Sequence, residues 1–269
     1  MLRLALTSHR AICIPPECGF AVWLWERYKD WSASFVADDL KAFVNDLIAC
    51  RKFETWALTP EEITDALRTR RPANYTDVCD EVYRSYLRKN DGNAKRWGDK
   101  NNFHVTCIAN IDRIFSDSQF IHIVRDVRDV VCSYRDLESL QTDSRYAPDL
   151  PIKIGAIAHQ WSHNVQSVLN AFAQLNPARS IHVRYEDLVA DPRRELIRLC
   201  EFMGESFDSE MLQFHRKSLE PDEMKAWKVL TDFPITNTRA RRFEQDLDAT
   251  QIKTTMSIAK PQMDVFNYF

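Results

Sequence analysis

Glycine is scarce in this sequence, and its scarcity excludes the common glycine-rich phosphate-binding motifs. Only five of the 269 residues are glycine, so the dinucleotide fingerprint GxGxxG cannot be written anywhere in the chain. The nearest approach to a GxxxxGK[ST] loop begins at Gly92, but its second glycine comes one residue too late and Asp99 separates it from Lys100. We therefore exclude both a dinucleotide-binding fingerprint and a Walker A loop.

Other features are also missing. The seven cysteines are odd in number and contain no CxxC pair, which argues against a disulfide framework and a zinc knuckle and predicts reduced, mostly buried thiols. No apolar run approaches the ~20 residues of a membrane helix, and the first residues do not form a signal peptide. With 36 basic and 39 acidic residues, no global charge favours nucleic acid or a membrane surface. We expect a cytoplasmic protein with no nucleic-acid partner and no membrane span.

The order of helical and strand patterns predicts an α/β fold. The first half of the chain is mostly helical, and two short β-branched segments, 120–124 and 180–185, are predicted as buried parallel strands, each followed by a helix. No linker or repeat interrupts the chain, so we expect one domain over 1–269 that contains a helical region at 18–90. The predicted helices are 1–9, 20–31, 35–50, 74–89, 129–140, 152–175 and 192–203, with a further helix start and capping box at 59–62.

The segment after the first predicted strand carries the clearest chemistry. Arg125 would lie at the carboxyl end of that strand, Asp129 is a candidate N-cap, and Ser133 would then end the first helical turn. A guanidinium, a hydroxyl and a helix N-terminus directed into one small volume suit a phosphate group. The alternative is a surface ion-pair network in which Arg125 and Arg128 pair with Asp126 and Asp129.

Four segments resemble a known family, in the same order along the chain. The string FIHIVRDVRDVVCSY at 120–134 resembles the 3′-phosphate-binding segment of sulfotransferases that use 3′-phosphoadenosine 5′-phosphosulfate. Segments 6–17, 97–100 and 183–188 resemble three others from the branch that includes tyrosylprotein sulfotransferases and bacterial relatives. The resemblance implies a helix-rich, P-loop-type parallel sheet flanked by helices. It also implies phosphoadenosine phosphosulfate as donor, no metal, and a hydroxyl-bearing small molecule or peptide as acceptor.

The resemblance assigns nucleotide-binding roles to five residues. Arg125 and Ser133 match the pair that holds the 3′-phosphate, and Tyr185 matches a tyrosine near the adenine. Arg239 and Arg241 lie in a basic segment that resembles a loop closing over the same phosphate. A basic run is also typical of a solvated surface, and that interpretation stays open for these two arginines.

Three residues are candidates for catalysis. Lys100 matches the strand-end lysine, whose charge would stabilise the leaving oxygen in the transition state. Glu17 matches the general base of the tyrosylprotein-type branch, although it could instead serve only the start of the following helix. His104 is the second candidate base, because cytosolic members place a histidine two residues after the lysine and not four.

One departure from the family pattern concerns the start of the chain. The first strand and the Pro-x-Arg-Ser-Gly-Thr-Thr loop, which holds the 5′-phosphosulfate in this family, are missing from the sequence. We expect a truncated sulfotransferase whose own activity is doubtful; the alternative is a non-catalytic nucleotide-binding derivative. A third hypothesis, a zinc hydrolase built on His159 and His163, lacks the glutamate of an HExxH motif.

Overall fold

Helices dominate both units into which the chain divides. The computed structural model describes residues 1–32, 37–90, 92, 94–139, 144–217, 220–225 and 229–269. The first unit comprises 1–117 and 208–221, and the second comprises 118–207 and 222–269. In each unit, short parallel strands are flanked by helices. The predicted helix-rich α/β fold is therefore confirmed.

The first unit contains a short pair of parallel strands, in which Ile12 lies opposite Arg96 and Cys13 opposite Trp97. Around this pair, the described residues form strands β1 (Ile12–Cys13) and β2 (Arg96–Trp97), helices α1 (Leu2–Thr7), α2 (Phe20–Trp23), α3 (Trp25–Tyr28), α4 (Ala37–Ile48), α5 (Pro60–Arg70), α6 (Tyr75–Asn90) and α7 (Ile108–Ile114), and the 3-10 helices Phe53–Trp56, Asn102–Thr106 and Ser209–Arg216.

An aromatic cluster forms the core of the first unit. Phe20 packs edge-on against Trp56, with ring centroids 5.8 Å apart, and lies 5.2 Å from the ring of Tyr83. Tyr83, on α6, stacks in parallel on Trp97 of β2 at 3.9 Å. Burial of large side chains contributes about 1.5–3 kcal/mol each. The stack therefore fixes β2, and with it the segment that leads to Lys100.

Most helices of the first unit follow the sequence predictions. The helix predicted at 74–89 is α6. Thr59 is the N-cap of α5, with a capping box in which the side chains of Thr59 and Glu62 each accept the other's backbone N–H. The helix predicted over 20–31 is instead two four-residue helices, α2 and α3, because the ψ angle of Leu24 is −6°. The start of the helix predicted at 35–50 lies outside the described residues.

The second unit is built around a longer parallel pair. Strands β3 (Phe120–Val124) and β4 (Ser180–Arg184) run in register, with Phe120 opposite Ser180 and Val124 opposite Arg184. The helices described in this unit are α8 (Val127–Ser139), α9 (Ile154–Phe172), α10 (Tyr185–Ala190), α11 (Pro192–Met203), α12 (Asp222–Lys225), α13 (Phe243–Asp246) and α14 (Ala249–Val265), with 3-10 helices Pro177–Arg179 and Val229–Asp232.

The two strands are less buried than their sequences predict. Val124 and Val183 are buried, but Ile123 is 39% exposed. Side chains alternate between the faces of a strand. The face of β3 that carries His122 and Val124 packs on residues of α9 and on Phe266, whereas Ile123 points to the opposite face. The prediction of fully buried strands was wrong for this reason.

Asp208 gives the first unit a pH-dependent tie. Its carboxylate accepts hydrogen bonds from the backbone N–H and Nε of Arg10, at 3.2 and 2.9 Å, and from the backbone N–H of Glu210 at 3.1 Å. Burial raises the pKa of Asp208, but these hydrogen bonds outweigh burial and hold the pKa at about 2. The carboxylate thus joins the turn that follows α1 to the 3-10 helix Ser209–Arg216.

We predict that Asp208→Asn lowers the free energy of unfolding at pH 7. A carboxyl whose folded pKa is depressed stabilises the fold above its unfolded pKa of about 3.9 and loses that contribution as the pH falls towards about 2. The stability gap between wild type and variant should therefore close over that window in chemical denaturation measured at several pH values. Glu210→Gln, which removes a largely exposed carboxylate nearby, is the control. A gap that is independent of pH would contradict the assignment.

Candidate functional site

Arg125, Ser133, Tyr185 and the carbonyl of Arg239 meet at the carboxyl end of β3, in what we call the arginine corner. Arg125 Nη1 donates a hydrogen bond to Ser133 Oγ at 2.7 Å, and Nη2 donates to the Arg239 carbonyl at 2.5 Å. The guanidinium lies 4.6 Å from the centre of the Tyr185 ring. Arg125 is only 19% exposed, and its buried Nε has no hydrogen-bond partner within the described residues. The corner therefore holds an oriented cation whose Nε–H has no partner in the described part of the chain.

The start of α8 differs from the prediction. The helix begins at Val127, and Asp126 caps it by accepting the backbone N–H of Arg128 at 2.9 Å. Asp129 is therefore not the N-cap, and Ser133 lies in the second turn, not at the end of the first. Asp126 also forms a buried ion pair with Arg128 at 2.6 Å. The ion-pair alternative thus describes Asp126 and Arg128, while Arg125 makes the contacts of the arginine corner.

Asp129 binds the backbone of the basic segment that contains Arg239 and Arg241. It is fully buried, and its two carboxylate oxygens accept the backbone N–H groups of Arg241, at 2.7 Å, and Phe243, at 3.0 Å. Its Oδ2 also lies 3.9 Å from Arg125 Nη2. Burial raises the pKa of Asp129, while these N–H groups and Arg125 oppose the rise. Asp129 thus fixes the basic segment beside α8.

The arginines of the basic segment face different partners. The backbone carbonyl of Arg239 accepts the hydrogen bond from Arg125, while the Arg239 guanidinium pairs with Asp136 at 2.7 Å. Arg242, which the sequence analysis did not select, pairs with the same Asp136. The Arg241 side chain is 74% exposed and pairs with Glu244 at 2.5 Å. The structure therefore brings the backbone of Arg239 to the arginine corner and leaves the Arg241 guanidinium on the surface.

In the first unit, Glu17 lies between two lysines. Its Oε1 is 2.5 Å from Lys100 Nζ, and its Oε2 is 2.7 Å from Lys52 Nζ. Glu17 and Lys52 are largely buried, whereas Lys100 is partly exposed and also donates to Asn102 Oδ1 at 2.8 Å. The structure thus brings Glu17 and Lys100 together. Lys52 was missed, because no local sequence signal links a lysine 35 residues away to this carboxylate.

Two chain segments hold this group in place. Asn101 Nδ2 donates to the carbonyl of Cys18 at 3.3 Å, which ties the segment that carries Lys100 to the one that carries Glu17. Gly19 allows the close approach, since a Cβ there would lie 2.5 Å from the Trp23 ring and 2.6 Å from the Phe103 ring. Those two rings stack with centroids 5.5 Å apart. Any side chain at position 19 would therefore disturb the segment that carries Glu17.

His104 faces a different carboxylate. Its Nε2 lies 3.6 Å from Asp99 Oδ2, and Asp99 also accepts the Tyr83 hydroxyl at 2.7 Å. Burial lowers the pKa of His104 while the charge of Asp99 opposes the change, and burial raises the pKa of Asp99. The structure thus pairs His104 with Asp99 and pairs Lys100 with Glu17.

The candidate residues are divided between the two units. Glu17, Lys100 and His104 belong to the first unit, and the five nucleotide candidates belong to the second. His159 and His163 are exposed on α9, and no cluster of three metal-ligating side chains occurs among the described residues. None of the helices in the described part of the chain combines the length and apolar character needed to cross a membrane.

The fold is a helix-rich α/β fold, and a half-buried arginine lies at the carboxyl end of its strand β3. A family model described as "Sulfotransferase family" matches residues 1–209. The chain belongs to the sulfotransferase family, and the resemblance seen in the sequence is confirmed.

Three proteins show the range of similarity. A Caenorhabditis briggsae protein that carries the name of a protein-tyrosine sulfotransferase is 22% identical over 217 residues, which are 80% of this chain and 64% of that protein. The chain thus spans less than two thirds of that relative. The sulfotransferase domain from the curacin biosynthetic pathway shares the fold at a TM-score of 0.64 and 19% identity, covering 100% of this chain and 93% of that one. The sulfotransferase domain from the Synechococcus PCC 7002 olefin synthase shares the fold at a TM-score of 0.62 and 22% identity. That match covers 100% of this chain and 90% of that one.

We predict that Asp129→Asn releases the basic segment. An amide offers one acceptor where the carboxylate offers two, so one buried backbone N–H loses its partner, at a cost of about 1–3 kcal/mol. Hydrogen exchange of the Arg241 and Phe243 amides should quicken, and the melting temperature should fall. Glu244→Gln, which breaks only the exposed pair with Arg241, should leave both nearly unchanged. Unchanged exchange in Asp129→Asn would contradict this role.

Proposed function

We propose that this protein transfers a sulfuryl group from 3′-phosphoadenosine 5′-phosphosulfate to a hydroxyl acceptor. The observation that carries the proposal is the contact of Arg125 with Ser133 at the strand end, beside a buried guanidinium Nε that has no partner within the described residues. Family membership supports sulfuryl transfer as the reaction. The donor, the acceptor class and every residue role below belong to the proposal.

The arginine corner would receive the 3′-phosphate. An arginine can bind a phosphate as a planar, permanently charged group with several N–H donors, and the Nε–H of Arg125 has no partner within the described residues. Ser133 Oγ already accepts from Arg125, so its own hydroxyl proton is available to a phosphate oxygen. The start of α8 adds a partial positive charge. Tyr185 would border the adenine, and Arg239 and Arg241 would supply the surrounding basic segment.

The group around Glu17 would carry out the transfer. The S–O bond of the mixed anhydride breaks, and 3′-phosphoadenosine 5′-phosphate leaves with the bonding electron pair. A new S–O bond forms to the acceptor oxygen, whose proton passes to the Glu17 carboxylate. The charge of Lys100 would stabilise the leaving oxygen, so the proposal assigns this task to an ammonium group and not to a metal ion.

Two lysines hold the proposed base, Glu17, in place. Each ammonium group lies within hydrogen-bond distance of one carboxylate oxygen, so the orientation of the carboxylate is fixed from both sides. Lys52 would keep Glu17 oriented while Lys100 turns to the donor, because the two ammonium groups hold different carboxylate oxygens. His104 remains the second candidate base, although its nearest carboxylate is Asp99.

We predict that Arg125→Ala weakens the binding of 3′-phosphoadenosine 5′-phosphate by about 2–4 kcal/mol, because a phosphate loses a charge-assisted donor. Ser133→Ala should cost about 1 kcal/mol. Isothermal titration calorimetry measures both values. Adenosine 5′-phosphate, which lacks the 3′ group, should be insensitive to either change. Arg194→Ala removes an arginine from an exposed part of the same unit and serves as the control variant. Unchanged affinity in both test variants would exclude the phosphate site.

We also predict that Glu17→Gln lowers kcat by about 10²-fold while donor affinity stays nearly constant, since a general base acts on the acceptor. His104→Ala should have a mild effect. Turnover with radiolabelled donor and a panel of hydroxyl acceptors measures both. A larger loss in His104→Ala would transfer the role of base to His104. Nucleotide binding by the wild type without transfer to any acceptor would favour the non-catalytic alternative.

A further inference from the structure

Tyr268 packs against the ends of the two strands that carry the arginine corner. Its side chain is 3% exposed. The phenol oxygen is 2.7 Å from Glu186 Oε2 and 3.2 Å from the carbonyl oxygen of Val124. A hydroxyl has one proton to donate, and the shorter contact is to the carboxylate.

Both acceptors adjoin residues of the arginine corner. Val124 immediately precedes Arg125. Glu186 follows Tyr185, whose ring contacts the Arg125 guanidinium, and the second oxygen of Glu186 accepts the backbone N–H of Asp126 at 2.9 Å. Glu186 and Tyr268 therefore hold the backbone immediately before and immediately after Arg125.

The ring of Tyr268 contacts the neighbouring strand as well. The guanidinium of Arg184 lies 4.7 Å from the ring centre, and Arg184 is the partner of Val124 in the sheet. The ring also belongs to the apolar cluster that contains Val124 and Val127. One side chain thus contacts the ends of both strands and lies in the same apolar cluster as the first residue of α8.

The backbone fixes Tyr268 in this position. After α14 ends at Val265, Asn267 adopts a φ of 55°, and the N–H of Tyr268 donates to the carbonyl of Met263 at 3.0 Å. This reversal directs the side chain back towards the sheet. Because α14 packs along α9, the position of the phenol is set by two long helices.

We propose that Tyr268 is a positioning residue for the 3′-phosphate, acting through Glu186 on the turn that carries Arg125. This inference rests on the proposed function. The hydroxyl holds the Glu186 carboxylate, which in turn holds the Asp126 N–H. Without the hydroxyl, the Glu186 carboxylate keeps the Asp126 N–H but loses the phenol, so Arg125 and Tyr185 are held less firmly at the phosphate position.

The test compares two nucleotides in two tyrosine variants. Tyr268→Phe keeps the ring and removes the hydroxyl. Its affinity for 3′-phosphoadenosine 5′-phosphate, the bisphosphate, should fall about fivefold, which corresponds to the loss of one typical hydrogen bond. Its affinity for adenosine 5′-phosphate should stay within about twofold of wild type. Tyr75→Phe is the matched control. Tyr75 is also buried, and its hydroxyl donates to the backbone carbonyls of Phe20 and Ala21. Tyr75→Phe should leave both affinities unchanged even where it lowers the melting temperature.

The outcomes separate this inference from the proposed function. A wild type that binds the two nucleotides equally would overturn both. A wild type that prefers the bisphosphate, with the preference lost in Arg125→Ala and retained in Tyr268→Phe, would overturn the role of Tyr268 alone. Equal losses for both nucleotides in Tyr268→Phe would show a merely structural effect and overturn it too. If Tyr268→Phe does not fold, Glu186→Gln takes its place and should lose the same preference, since the amide offers only one acceptor for two donors.

Discussion

The parallel pairing of β3 with β4 is the constraint on which the arginine corner depends. Because Val124 lies opposite Arg184, the residues that follow the two strands, Arg125 and Tyr185, emerge at the same edge of the sheet. A shift of one residue would turn one side chain of this pair to the opposite face. Ser133 then completes the corner from the second turn of α8, which begins where β3 ends.

Buried or half-buried carboxylates organise both units, and each is held by a different set of hydrogen-bond donors. Glu17 is held by two lysines, Asp129 by two backbone N–H groups, and Glu186 by one N–H and a phenol. A buried charge without partners would cost several kcal/mol, so each carboxylate fixes the groups that surround it. In the proposed mechanism, the Glu17 carboxylate accepts the proton of the acceptor hydroxyl, and Asp129 and Glu186 maintain the geometry of the nucleotide site.

The sequence predicted those features of the structure that depend on residues close together along the chain. The capping box at Thr59, the strands and the Arg125–Ser133 spacing all follow from patterns within a few residues. The missed features join distant positions: Asp129 meets the segment at Arg241 across 112 residues, and Tyr268 meets Val124 across 144. Periodicity contains no information about such pairs. The degree of burial of β3 was misjudged because it depends on which face the helices cover.

Phosphorus NMR of bound 3′-phosphoadenosine 5′-phosphate tests the central claim, that the arginine corner binds the 3′-phosphate, most directly. A free phosphate monoester has a second pKa of about 6. Beside Arg125 the dianion is favoured, so the 3′-phosphorus resonance of the bound nucleotide should titrate at a lower pH than in free solution. A bound nucleotide whose 3′-phosphorus titrates as it does in free solution would contradict the account.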